Sequence, residues 1–131
     1  MCSSDLKLGG PAMDGIMAAH TVAVPYADSA SEPVRAWIGR YKAKFGEDPA
    51  MHAVYGYTNA DALITALEKA GPNLTTESLI AAIEGTKFPS DMFGSAEMTF
   101  SPTKRLGSNR ARLAEIRNGR WVTISDYFGE N

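Results

Sequence analysis

Two histidines, one cysteine and fifteen acidic residues are the side chains from which any catalytic or metal centre would have to be built. Such a centre needs a nucleophile with a base beside it, a carboxylate pair or a metal cluster. Their spacing supplies none of these. Cys2 is a lone thiol with no CxxC pair or Cys/His cluster around it, and it rules out an internal disulfide. His20 lies inside an apolar run, where a single histidine reads as a satisfied core or edge residue, and His52 is far from it in sequence. The stretch GYTNAD (56–61) lacks the glycine pattern of a nucleophile elbow. LGGPAMDG (8–15) follows no predicted strand and precedes no predicted helix, so it makes a poor nucleotide loop. The expectation is a chain that is not an enzyme and needs no cofactor or metal.

Charge narrows the partners further. Thirteen basic residues face fifteen acidic ones, for a net charge of -2, with no basic cluster to track nucleic acid or an anionic membrane. At 131 residues, 44% hydrophobic and 21% charged, the chain has the make-up of one globular domain. No stretch approaches the roughly 18 apolar residues that span a bilayer. The start MCSSDLKLGG has no apolar h-region, so no signal peptide is expected in it, and with only Met1 before it Cys2 is not expected to be a lipid-attachment cysteine. Residues 1–6 are expected to be a non-native leader, outside the fold.

The elements follow from period and punctuation. IMAAHTVAVPY predicts a buried strand over residues 16–24, stopped by Pro25. Ser31 is placed to cap a helix, Glu32 suits its positive end, and Pro33 is tolerated in the first turn. Val34, Trp37, Ile38, Tyr41 and Phe45 then share one face, while Arg35, Arg40, Lys42 and Lys44 read as a solvated one. Gly46 and Pro49 end this helix. A second helix is expected over about 50–70. It has small or apolar residues around much of its circumference, including Val54, Tyr55, Leu63, Ile64 and Leu67, so it should be largely buried. A third starts near Thr75 or Thr76, carries Leu79, Ile80 and Ile83, and stops at Gly85. AEMTF (96–100) alternates like a strand, SPTKRLGSNR is a polar loop, and ARLAEIRNGRWVTISDY reads as a hairpin around Asn118-Gly119. Three apolar helix faces against four short strands leave a deficit, because each face needs another layer over it. A small self-contained helical pack with a hairpin is one solution. The other is that most of the sheet lies in sequence outside these residues.

The order of segments resembles the C-terminal part of type I periplasmic binding proteins, nearest to the leucine/isoleucine/valine-binding, or branched-chain amino acid, receptors of ABC importers. The resemblance runs from about Leu6 to Tyr127. It rests on GPAMDGIMAAHTVAVPY, EPVRAWIGRYKAKFGEDP, AMHAVYGYTNADALITALEKAG, TTESLIAAIEGTKF, FGSAEMTFSPTKRLGSN and RLAEIRNGRWVTISDY in that order. It implies an α/β fold of two lobes joined by three hinge crossings, of which this chain holds an incomplete portion. Residues of about 26–92 are then helices of the first lobe, and 7–25 and 93–125 are hinge and second-lobe strands. It also implies capture of an amino acid-like solute by hinge closure and delivery to a membrane permease. The complete receptor is expected to be a periplasmic or cell-surface monomer.

Most ligand-holding residues of such receptors lie upstream of this stretch. The implied cleft border here is Met51, His52 and Tyr55, at the start of the second helix, where family members place an apolar wall and often an aromatic. This chain has His52-Ala53 there, and Met51 and Tyr55 also read as plain core residues. Asp14 matches the acid-Gly that precedes a strand in the family, not a ligand-ammonium carboxylate. Asn118, Gly119 and Trp121 read as hairpin structure. A ligand-sensing domain of a regulator uses the same fold and is the alternative, beside the small interaction domain.

Overall fold

A computed structural model describes residue 6 and residues 8–130. In chain order they form a short 3-10 helix (Gly10–Met13), strand β1 (Met17–His20), helices α1 (Glu32–Phe45), α2 (Met51–Ala70) and α3 (Thr76–Glu84), and strands β2 (Arg112–Arg117) and β3 (Arg120–Thr123). The expected leader, residues 1–6, lies outside the described residues except for Leu6.

The helices begin and end where their local chemistry demands. Gly46 closes α1 at φ 75°, a left-handed conformation that costs glycine little. Ser31 holds the N-cap position, but its hydroxyl makes no capping bond. Pro33 removes one of the two amides such a hydroxyl reaches, and the Ser31 carbonyl still accepts from Arg35 N at 2.9 Å. At α3 the cap is complete. The Thr75 hydroxyl accepts from Ser78 N at 3.1 Å, and the Ser78 hydroxyl accepts from Thr75 N at 2.9 Å.

The strands form one antiparallel sheet in the order β1-β2-β3, so β1 and β3 are its borders. The hairpin turns at Asn118 (φ 52°) and Gly119 (φ 71°), the paired left-handed residues of a type I′ turn. Asp14 locks it: its two carboxylate oxygens accept from Asn118 N and Gly119 N, both at 3.0 Å.

Two strand expectations are corrected. Residues 16–24 do not make one buried strand. Pairing stops at His20, because the chain then leaves the sheet and Ala23 N donates to the Phe93 carbonyl at 3.0 Å instead. β1 is also exposed along much of its length, with β2 its single neighbouring strand among the described residues. AEMTF is not a strand either. It contributes one bridge, Met98 to Phe88, with no ladder to extend it.

The apolar residues gather into two clusters. One joins Val22, Val34, Trp37, Ile38, Val54 and Phe93, with Tyr41, Met51 and Tyr57 packed against it. The other joins Ala114, Ile116 and Trp121, with Met13, Ala18 and Val24 around it. The helix burial expected for α2 is not met. Only Val54, Thr58 and Ala66 are buried, while Leu63 and Ile64 stay 50% and 55% exposed. Phe45 is likewise 57% exposed despite its place on the apolar face of α1. The described residues cover these positions only in part, Phe45 by the Tyr41 ring at 4.6 Å, so a sequence suited to burial ends half at a surface.

Candidate functional site

Several long-range side-chain contacts collect where the two clusters meet. The segment after β1 carries the buried Pro25 and then Tyr26 and Asp28. The Tyr26 hydroxyl accepts from the backbone N–H of Trp121 at 3.0 Å, which fixes the segment against β3. Arg120, next in line on β3, stands over the Tyr26 ring at 5.1 Å and donates to the Asp28 carboxylate at 2.5 Å. That hydrogen bond lowers the Asp28 pKa and raises that of Arg120. Both side chains remain largely in water, so the pair positions the segment more than it stabilises the fold.

A cleft of about 600 Å³ opens beside this arrangement. Its walls are apolar: Val24 and Pro25, Ile38 of α1, Met51 of α2 and Trp121 of β3. Four charged groups line it as well, Asp28 with Arg120 and Lys42 with Asp48, the latter pair 3.0 Å apart. Two cations thus balance two anions around an apolar interior. Such a cavity can hold an apolar group by burial and offer its neighbours hydrogen bonds. Among the described residues that line it, no nucleophile is paired with a base. A second hollow of similar volume is bordered by Ser29, Ser31, Val34, Phe93, Arg112 and Val122. Among the described residues, no group of three His, Cys, Asp or Glu could hold a metal ion, and no helix is long and apolar enough to cross a membrane.

The three residues expected at a cleft border are split. Met51 lines the cleft and packs on the helical cluster. Tyr55, one turn further along α2, is outside its lining, and its hydroxyl accepts from Thr21 Oγ1 at 3.3 Å, where the chain leaves β1. His52 is exposed and meets the Tyr55 ring edge-on at 6.3 Å. His20 is buried with its ring 4.6 Å from Trp121, a packing role. Burial, reinforced by nearby positive charge including Arg112, lowers its pKa.

Sequence reasoning missed Tyr26, Asp28, Arg120, Asp91 and Tyr127. Asp91 gathers its own loop: one carboxylate oxygen accepts from Phe93 N at 2.9 Å and Ser95 N at 3.1 Å, and the other accepts from the Thr58 hydroxyl at 2.5 Å. The signals available were modest, an Asp two residues before Phe93 and an Arg directly after the Asn-Gly turn.

A family model described as periplasmic binding protein matches residues 3–120. The chain belongs to the periplasmic binding protein family. The solved structures that resemble it agree. A protein from Rhodospirillum rubrum, provisionally assigned as a branched-chain amino acid ABC transporter, is 28% identical with a TM-score of 0.67, over 93% of this chain and 34% of that one. A solute binding protein of an ABC transporter from Rhodopseudomonas palustris BisB5, in complex with 3,4-dihydroxy benzoic acid, is 26% identical with a TM-score of 0.69, over 98% and 34%. A branched chain amino acid ABC transporter from Thermus thermophilus with bound valine is 21% identical with a TM-score of 0.70, over 99% and 37%, a likeness of fold alone. No curated protein shows a match. These structures are two-lobe α/β receptors, and the chain spans about a third of their length. The family binds solutes and is not one of enzymes.

Proposed function

We propose that the chain is one portion of a receptor that captures a small amino acid-like solute, branched-chain or related, and delivers it to the permease of an ABC importer. The observation that carries this reading is the pair of separate apolar clusters, joined by short connections, with an apolar-walled cleft at their junction. Residues 26–92 supply helices of one lobe, and 7–25 and 93–125 supply hinge and second-lobe strands. The bare sides of α1 and α2 then lie on β-structure encoded outside these residues. The working receptor is a monomer in the periplasm, or at the outer surface where no periplasm exists.

In this reading Met51 contributes to the wall for the solute side chain, and His52 and Tyr55 stand at its border. An aromatic acid is the second solute class, favoured by the dihydroxybenzoate relative at 26% identity. Most of the ligand-holding groups lie beyond these residues, so calorimetry of the 131-residue chain with leucine, valine or benzoate should give no micromolar binding. Clear micromolar heats would overturn the partial-site reading. The positive test replaces the matching third of the dihydroxybenzoate receptor with this chain. The chimera should show a solute-dependent rise in melting temperature, since a ligand at a hundred times its Kd stabilises by about 2.7 kcal/mol. A folded chimera indifferent to amino acids and aromatic acids alike would sink the proposal.

A further inference from the structure

Both connections between the strands and the helices meet at one phenol. The Tyr127 hydroxyl lies 2.6 Å from the carbonyl of Thr21, on the chain leaving β1, and 2.6 Å from the carbonyl of Gly94, on the chain returning from the helices. Neither acceptor belongs to a strand or a helix. The ring is flanked by two guanidinium groups, Arg112 at 5.1 Å and Arg110 at 5.5 Å. Arg112 also donates to the Phe93 carbonyl at 3.3 Å, the same oxygen that receives Ala23 N. A phenol has one proton to give. It is donated to Thr21 or to Gly94 at any instant, and the oxygen sits between two connections that the Ala23 N–H to Phe93 carbonyl bond also joins. Burial raises the Tyr127 pKa, so the proton stays in place at neutral pH.

We propose that Tyr127 is a hinge-positioning residue, which sets the angle between the strand cluster and the helix cluster by sharing its one proton between a carbonyl on each connection. The proposal rests on the two-lobe reading above. Opening the junction lengthens the reach from the phenol to one of these two carbonyls and leaves the other as the acceptor. The residue touches no solute in this account. It acts through the two connections it spans.

The test uses the isotopically labelled 131-residue chain and residual dipolar couplings, which report the relative orientation of the clusters. In the native chain one alignment tensor should fit both. In Tyr127→Phe two tensors should be needed, and the Ala23 amide should exchange roughly tenfold faster, the size expected for one lost hydrogen bond. The methyl signals of Val54 and Ile116, at the two cluster centres, should stay in place. A single tensor with unchanged Ala23 exchange would overturn the proposal. Should the Phe variant not fold, Arg112→Gln carries the same comparison with the phenol kept: a smaller reorientation of the same kind is expected, and an unaltered tensor overturns it. No solute is present in these measurements. Their failure would leave solute capture standing, and a failed chimera would leave their result untouched.

Discussion

The helical region and the strand region are held together in opposite ways. The helices depend on large side chains meeting across elements. Trp37 packs edge-on against Phe93 at 4.9 Å and Tyr57 at 6.0 Å, and beside Tyr41 at 5.4 Å, with no buried charge among them. The strands bury a smaller cluster and depend instead on directed hydrogen bonds that close long loops, such as Asp14 to Asn118 and Gly119 and Tyr26 to Trp121. Packing tolerates a missing neighbour by leaving a bare surface, as Leu63 and Ile64 show. A hydrogen-bonded turn fails when one acceptor is lost. The chain therefore ties its strand region by long-range hydrogen bonds and leaves its helical region half covered.

The contrast can be broken at several points, and each cluster carries its own tryptophan as a reporter. Trp37→Ala should have the largest effect, a loss of about 3–5 kcal/mol from the helical cluster in denaturant titration. Trp121 emission should then report a strand region that outlasts the helices. If both regions still unfold together, they form one cooperative unit. Asp14→Ala comes next, at about 1 kcal/mol, confined to the hairpin and visible as faster amide exchange at Asn118 and Gly119. An equal effect on α2 amides would contradict the locality claimed for the strands.

A smaller effect comes from pH. His20 has its pKa lowered from 6.5 by burial, so the unfolded chain takes up its proton first as the pH falls. Strand stability should be full above about pH 6.5, decline below it, and level off once folded His20 also protonates. His20→Phe should flatten that decline in a melting series, and an undiminished slope would assign it elsewhere. The smallest effect belongs to Leu63→Lys with Ile64→Lys. On an uncovered face the pair should shift stability by no more than about 0.5 kcal/mol each while raising solubility. A large loss would mean that the face is already covered.

What could be read from the sequence was local. The bounds of α1 follow from Ser31 and Gly46, those of α3 from Thr75 and Gly85, and the hairpin turn from Asn118-Gly119. These signals act within a few residues, so no partner is needed to interpret them. What could not be read was pairing at a distance. Residues 16–24 and 96–100 have strand composition, yet a strand extends only where another backbone lies alongside. Pairing stops at His20 and shrinks to one bridge at Met98. The site suffered similarly. Met51 entered only through the resemblance of its helix start to the family's apolar wall, and Tyr26, Asp28 and Arg120 acquire meaning only when residues some 90 positions apart are brought together. Tyr127 gave no local sign of its two carbonyl partners.

The three-stranded sheet has a further consequence. Among the described residues no strand lies along the outer side of β1, so its rim offers backbone donors and acceptors to a neighbour, whereas β3 spends its Trp121 N–H on the Tyr26 hydroxyl. At high concentration that geometry favours lateral growth from molecule to molecule, and shielding the rim of β1 with a charged residue at Met17, already 58% exposed, is the direct means of keeping the chain dispersed.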